Sequence, residues 1–248
     1  MNVTGRLVLV TGAGRRIGRA IAERLALRGA KVAVHYHTSE AEAEAVVAAI
    51  RSRGGEAERF AADLADSAQI ARLADTVSAR LGPIDVLVNN AAVFYRTPFA
   101  ELGEQAWDEN IAVNLKAPYL LALRLGRVMQ ARGAGKIINI GDGGAVQPYR
   151  DHLPYCVSKA ALVALTEGLA KALAPAVQVN CVAPGPILPA LDAREEEQAA
   201  IVRRTLLKRF GSPDDIAAAV LFLIEGSDYV TGTTLVVDGG RALGRCAT

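Results

Sequence analysis

Short β-branched runs alternate with longer Ala-, Leu-, Glu- and Arg-rich segments along the whole 248-residue chain, and this limits the fold more than any other feature. Strands are expected at Leu7–Thr11, Lys31–His35, Glu56–Ala61, Val86–Asn89, Lys136–Ile140, Gln178–Val182 and Thr234–Asp238. Between them the pattern predicts helices at Ile17–Arg28, Glu40–Arg53, Ser67–Leu81, Leu115–Arg132, Tyr155–Ala174, Ala193–Lys208 and Pro213–Ile224. Runs such as Leu7-Val8-Leu9-Val10 and Val86-Leu87-Val88 are apolar on both faces, as parallel strands covered by helices on each side must be. The expectation is one α/β domain over residues 1–248: a doubly wound parallel sheet of about seven strands with helices on both faces. Ligands of such sheets sit beyond the carboxyl ends of the strands, so the residues after each strand carry the function.

Composition removes several alternatives. Basic and acidic residues nearly cancel, 28 against 26, without the basic face of a nucleic-acid binder; Arg203-Arg204 with Lys208-Arg209 reads as one solvated helix. The longest apolar stretch, Ala217 to Ile224, is too short to cross a bilayer. No secretory leader precedes the first strand, so the expected location is the cytoplasm. Cys156, Cys181 and Cys246 lack CxxC spacing, which fits a reducing compartment without disulfides or zinc.

The first strand runs into Thr11-Gly12-Ala13-Gly14-Arg15-Arg16-Ile17-Gly18, where a helix starts. Glycines in such a turn let the backbone approach a pyrophosphate, and a helix N-terminus offers free N–H groups and a favourable dipole, as in a Rossmann-type site. NAD sites normally carry an acidic residue near the end of the second strand for the ribose diol. That stretch reads His35-Tyr36-His37-Thr38-Ser39, and Glu40 is the first carboxylate. Arg16 could pair with a 2′-phosphate, with His37, Thr38 and Ser39 as further donors, so NADPH/NADP+ is the expected cofactor. The plainer alternative makes Arg15 and Arg16 solvated first-turn residues. His35 and His37 lack a third ligand at suitable spacing, so no metal is expected; they read as strand-end residues, one ring near the adenosine phosphate.

Tyr155 and Lys159 are four apart and share a helical face. A nearby ammonium favours a phenolate and brings a phenol toward the working range. Asn114 lies upstream, at the expected start of another helix. With the Thr11–Gly18 loop, Asp63-Leu64, Asn89-Asn90-Ala91, Asn114, Tyr155-x-x-x-Lys159, Pro184-Gly185 and Asp238-Gly239-Gly240, the chain resembles the short-chain dehydrogenase/reductase family over essentially its full length. That resemblance implies Gly12, Gly14, Arg16, Ile17 and Gly18 around the pyrophosphate and Asp63 and Leu64 beside the adenine. It implies that Asn89 to Ala91 support the central strand, with Asn90 and Ala91 at the cofactor. Lys159 would hold the nicotinamide ribose, Tyr155 would deliver a proton, and Asn114 would help hold a water linking Lys159 to solvent. Pro184 and Gly185 would pack near the nicotinamide. A homotetramer built partly from the Leu115–Arg132 and Tyr155–Ala174 helices is implied as well.

Two departures narrow the expectation. Most members have a third glycine where this chain has Arg16, and a serine at the position of Asp142, thirteen residues before Tyr155. A serine hydroxyl donates to a carbonyl oxygen as charge builds on it, whereas an ionised carboxylate cannot. Asp142 instead suits a substrate with N–H donors and a ring nitrogen to protonate. In these respects, and in the aromatic at Phe94, the chain resembles the pteridine reductase branch, in which the pterin is sandwiched between that aromatic and the nicotinamide. Thr38 and Ala92 depart from that branch, where Arg and Ser are common. The expected activity is hydride transfer from NADPH to a C=N bond of a pterin or dihydropterin, with Asp142, Tyr155, Lys159 and Asn114 as catalytic residues and Phe94 against the substrate. Residues 188–209 are expected to form a lid. The alternatives are a carbonyl reductase, for example of 3-oxoacyl groups, and a catalytically idle NADP(H) sensor. In a purely structural reading Phe94 packs on the core and Asp142 caps a turn before Gly143 and Gly144.

Overall fold

The computed structural model describes residues 1–143, 148–189 and 194–243. Seven strands form one parallel sheet: β1 Leu7–Val10, β2 Lys31–Tyr36, β3 Glu56–Ala61, β4 Val86–Asn89, β5 Gly135–Ile140, β6 Val177–Pro184 and β7 Thr234–Val237. Their order is β3-β2-β1-β4-β5-β6-β7, so the chain reverses direction across the sheet between β1 and β4. That reversal opens the crevice in which doubly wound sheets bind ligands.

Alternation along each strand feeds two cores. Val8 and Val10 of β1 face helices α1 (Arg16–Leu27), α2 (Glu40–Ser52) and α8 (Pro213–Leu221), where Ile21, Leu25, Val46, Ile216 and Val220 are buried. Leu7 and Leu9 face the other layer, with Ile70 and Leu73 of α3 (Ser67–Leu81), Leu121 and Leu125 of α5 (Ala117–Ala131) and Leu173 of α6 (Leu153–Leu173). Each such side chain contributes about 1.5–3 kcal/mol on burial. The expected Rossmann-type α/β architecture is therefore found, with β3 and β4 as expected and the ends of the other strands within two residues of expectation.

The helices depart more. The segment expected to start at Leu115 is preceded by α4, Glu104–Ile111, joined to α5 by a π-helical turn, Ala112–Lys116. Asn114 therefore sits inside a continuous helical rod and not at a helix start. The sequence hides α4 because only Asn110 of its eight residues is buried, leaving no apolar stripe. Helix α6 begins two residues before Tyr155, with Pro154 in its first turn where a missing N–H costs nothing. Within the expected lid, α7 spans Glu195–Arg204, shorter than the expected Ala193–Lys208; residues 190–193 of the lid, Gly144 and Cys246 lie outside the described residues.

Candidate functional site

The ends of β1 and β4 are tied by a polar clasp. Thr11 Oγ1 accepts from the amides of Asn90 (2.9 Å) and Ala91 (3.0 Å), while Asn90 Nδ2 donates to the carbonyls of Thr11 (2.9 Å) and Gly12 (3.1 Å). Space in this clasp requires glycine. At Gly12, with φ +63°, a β-carbon would stand 2.9 Å from Ala91 Cα, and at Gly18 it would collide with the Gly12 carbonyl and Asn90 Nδ2. Arg16 occupies a left-handed conformation (φ 52°), the region that glycine adopts at least cost. The Arg15 side chain at the N-cap of α1 makes no cap hydrogen bond, so it leaves the first-turn N–H groups beside the glycine turn to other partners.

These features fit the pyrophosphate and adenosine half of a dinucleotide. Arg16 is exposed and makes no ion pair among the described residues, and Ile17 is half-buried beside it. Ser39 closes the far rim at the start of α2, next to exposed His37 and Thr38, and Gly14 lies against the Ser39 carbonyl and hydroxyl. Glu40 is turned away: Arg59 binds it at 2.8 Å and also takes Glu44 at 2.6 Å and Tyr36 Oη at 2.9 Å. The carboxylate nearest this rim is thus neutralised by an arginine of its own. Beyond β3, Leu64 is buried and the Asp63 carboxylate accepts from the Ala65 amide. At the opposite end of the crevice Gly185 N donates to Val237 O (2.9 Å), pinning the turn after Pro184 against β7.

His35, near the end of β2 as expected, is buried, and Gly12 N donates to its Nδ1 (3.0 Å) while Nε2 lies 3.1 Å from Ala62 O. The neutral Nε2–H tautomer satisfies both contacts and joins the glycine turn to the end of β3. Burial pushes its pKa down to about 4, from 6.5. A base protonated in the unfolded chain but neutral in the folded one stabilises fully above pH 6.5, and loses that contribution as pH falls toward 4. The loss at pH 4 is about 3 kcal/mol. Urea unfolding of wild type and His35→Gln at pH 7 and pH 4 is expected to show this acid loss in wild type and most of it missing in the variant. Equal losses would assign the acid sensitivity to another group.

The chemical centre lies where β5 meets α6. Asp142 follows β5, and its Oδ2 accepts from Tyr155 Oη at 2.8 Å. Its Oδ1 accepts from Tyr149 Oη at 2.7 Å. Asp142 thus serves as an acceptor for two phenols. Lys159 is buried on the same face of α6 as Tyr155, but its ammonium donates to Ile140 O at 2.7 Å and lies 5.8 Å from the Tyr155 ring centre. The expected lowering of the tyrosine is therefore reversed: burial and then the Asp142 carboxylate push Tyr155 well above the ordinary phenol value. Burial pushes Lys159 down.

Around this centre the π turn aims Asn114 inward. Its Nδ2 lies within hydrogen-bond reach of Val93 O, Asn110 Oδ1 and Ser158 Oγ (3.1, 3.2 and 3.1 Å), and its Oδ1 accepts from Val93 N (2.9 Å). Ser158 Oγ in turn donates to Tyr155 O (2.7 Å), so Asn114 fastens the loop after β4 to the first turns of α6. Phe94 on that loop remains 52% exposed, stacks on His152 at 4.5 Å and meets the Tyr155 ring edge-on at 4.7 Å. The loop is also bonded to the approach to α6 through Thr97 N to Asp151 O (2.7 Å) and the Arg96–Asp151 ion pair (2.7 Å). Tyr149, His152 and Ser158 were not distinguished in the sequence. His152 carried a usable signal as the first residue before a Pro-started helix; Tyr149 carried none beyond its distance from Asp142.

The sequence profile of a family described as Enoyl-(Acyl carrier protein) reductase matches residues 12–242. The chain is 36% identical over 244 residues to D-threitol dehydrogenase of Mycolicibacterium smegmatis, covering 96% of this chain and 94% of that one. It is also 36% identical over 245 residues to a 3-oxoacyl-[acyl-carrier-protein] reductase of Synechocystis sp., covering 97% and 98%. Among solved structures, FolM alternative dihydrofolate reductase 1 from Brucella canis, complexed with NADP, superposes with TM-score 0.91 at 37% identity over 98% of this chain and 96% of that one. The chain belongs to the short-chain dehydrogenase/reductase family of NAD(P)-dependent oxidoreductases. Its cradle has the make-up of an NADP(H) site.

Proposed function

We propose that this oxidoreductase reduces a C=N bond of a pterin or dihydropterin with NADPH. The observation that carries the reading is Asp142, an acceptor hydrogen-bonded to Tyr155 where a carbonyl reductase needs a donor. An oxygen gaining negative charge beside that carboxylate would be repelled, whereas an amino group or ring N–H would be held. The name of the Brucella canis relative, an alternative dihydrofolate reductase, points to the same class of ring.

When bound, NADPH supplies the hydride. Arg16 would pair with its 2′-phosphate, Ser39, His37 and Thr38 would line that rim, and Lys159 and Asn114 would serve the nicotinamide end. Phe94 presents an exposed ring edge and face on which a flat heterocycle can stack. Tyr155 gives its proton to the substrate nitrogen. A phenolate next to the Asp142 carboxylate is unfavourable, so Tyr155 would regain its proton from solvent, with the Lys159 charge close by. Exposed Trp107 and Tyr119 on α4 and α5 suit the proposed homotetramer.

The 3-oxoacyl reductase reading is kept because of the Synechocystis sp. relative. NADPH oxidation by the purified protein, with dihydrobiopterin or dihydromonapterin beside a 3-oxoacyl ester, separates them. Pterin-dependent turnover is expected, faster with NADPH than with NADH; turnover of the ester alone would replace the pterin reading with the carbonyl one.

A further inference from the structure

We propose that Tyr149 is a positioning residue for the reaction, holding Asp142 through Oδ1 so that Oδ2 stays directed at Tyr155. The inference rests on the proposed partnership of Asp142 and Tyr155, not on which substrate they serve. A carboxylate can turn about its last torsion, and a single phenol at one oxygen leaves that rotation open. Gly141 and Gly143 flank Asp142, so its sequence neighbours offer no side chain to restrain it. Tyr149 supplies a restraint, at 2.7 Å from Oδ1, with Tyr155 at 2.8 Å from Oδ2. One donor on each oxygen fixes the plane of the carboxylate.

Tyr149 is itself well anchored for this task. Its amide donates to Cys156 Sγ at 3.2 Å, and its carbonyl accepts from the His152 amide at 3.3 Å. Both partners belong to the start of α6, the element that carries Tyr155. Its ring meets Phe94 edge-on at 6.5 Å and His152 at 6.0 Å, so the phenol is framed by the same aromatic wall that would face the substrate. Burial and the Asp142 carboxylate push the Tyr149 phenol upward, while Arg241 acts the other way; Cys156 adds to the first effect. Tyr155 stands under the same burial and the same carboxylate, with Tyr149 and Cys156 beside it, and Lys159 lies behind. Both phenols therefore keep their protons and donate to Asp142 across the neutral range.

Tyr149→Phe removes the hydroxyl and keeps the ring packing. With whichever substrate the enzyme turns over, this variant is expected to lower kcat about tenfold or more and leave the KM for NADPH within about twofold. In an Asp142→Asn background the same change is expected to cost less than about twofold, because the hydroxyl acts through the carboxylate. Equal losses in both backgrounds, or no loss in either, would overturn the proposal. A second readout needs no substrate: the rise in absorbance near 295 nm as tyrosines ionise. Asp142→Asn is expected to bring two phenols to lower pH in the parent protein and one in the Tyr149→Phe protein. The same number in both would mean that Tyr149 does not bind Asp142, and would also overturn the proposal. Failure with pterins alone, by contrast, changes the substrate and leaves both tests standing.

Discussion

Replacing Asp142 by serine is expected to lower kcat/KM for a dihydropterin by about 100-fold and to raise it for a 3-oxoacyl ester by about tenfold. The two directions come from one change in hydrogen-bond character. The carboxylate offers two charged acceptor oxygens, 2.7 and 2.8 Å from the two phenols, and a third partner with N–H groups can share them. Charge-assisted bonds of that kind contribute roughly 1.5–3 kcal/mol each, or about 10- to 150-fold in rate when they are made at the transition state. Serine supplies one shorter-reaching hydroxyl that cannot serve both phenols, so Tyr155 is expected to lose part of its alignment along with the substrate contact. For a carbonyl compound the same substitution removes a repelling charge and adds a donor. Oxyanion donors are worth about 10²–10³ in well-aligned sites; the expected gain is smaller because Tyr149 then lacks its acceptor. Steady-state NADPH oxidation with both substrates checks the pair of directions. A pterin rate that survives while the ester rate climbs would show that the pterin does not use the Asp142 carboxylate.

How much of this could be read from the chain alone depends on whether a residue's neighbours are local or assembled by the sheet. The strands were legible because Leu7-Val8-Leu9-Val10 and Val86-Leu87-Val88 fill both sides with apolar groups, a pattern that only a covered parallel strand needs. The cofactor turn was legible because its glycines answer a backbone demand stated within eight residues. Helix α4 was not, since its buried contact is one asparagine, and the π turn at Asn114 has no sequence period of its own. Asp142 and Tyr155 were paired from their spacing, but the direction of the effect on Tyr155 was misjudged. The reason is burial first and the Asp142 carboxylate second, both set by the packing of β5 against α6, while Lys159 gives its ammonium to the Ile140 carbonyl. Tyr149 and His35 were missed for a related reason. Each is an ordinary aromatic in sequence, and each acquires its part only when a turn or a neighbouring strand brings Asp142 or the Gly12 amide within 3.0 Å.

Lys136 lies far from the chemistry in role, yet its substitution is expected to have the largest effect on stability. It is a lysine near the start of β5 with no exposed side chain, and its ammonium reaches the carbonyls of Ser227 (3.0 Å) and Leu223 (3.4 Å) and the Asp228 carboxylate (2.8 Å). Those carbonyls belong to the end of the helical segment that continues α8 through Phe222–Gly226, where i→i−4 partners run out. A positive charge there both satisfies the carbonyls and complements the helix dipole. Lys136→Met keeps the stem packed and removes the charge. Asp228 is 68% exposed and can turn to water, so its loss of a partner costs little. The two carbonyls cannot turn away, and each left unsatisfied costs about 1–3 kcal/mol. The expected destabilisation is therefore about 3–4 kcal/mol, a fall in Tm of about 10 °C for a domain of this size. Asp228 adds a pH signature: the Lys136 ammonium, and after it the N-terminal ammonium of Met1 at 2.7 Å, hold its carboxyl at about 2, below 3.8. A depressed carboxyl stabilises above its unfolded value and ceases to do so as pH falls through its folded one. The gap in Tm between wild type and Lys136→Met should thus be widest near neutrality and narrow between pH 3.8 and 2. Melting curves across that range test both parts. An unchanged Tm at pH 7 would mean that water reaches the helix end and takes the place of the lysine.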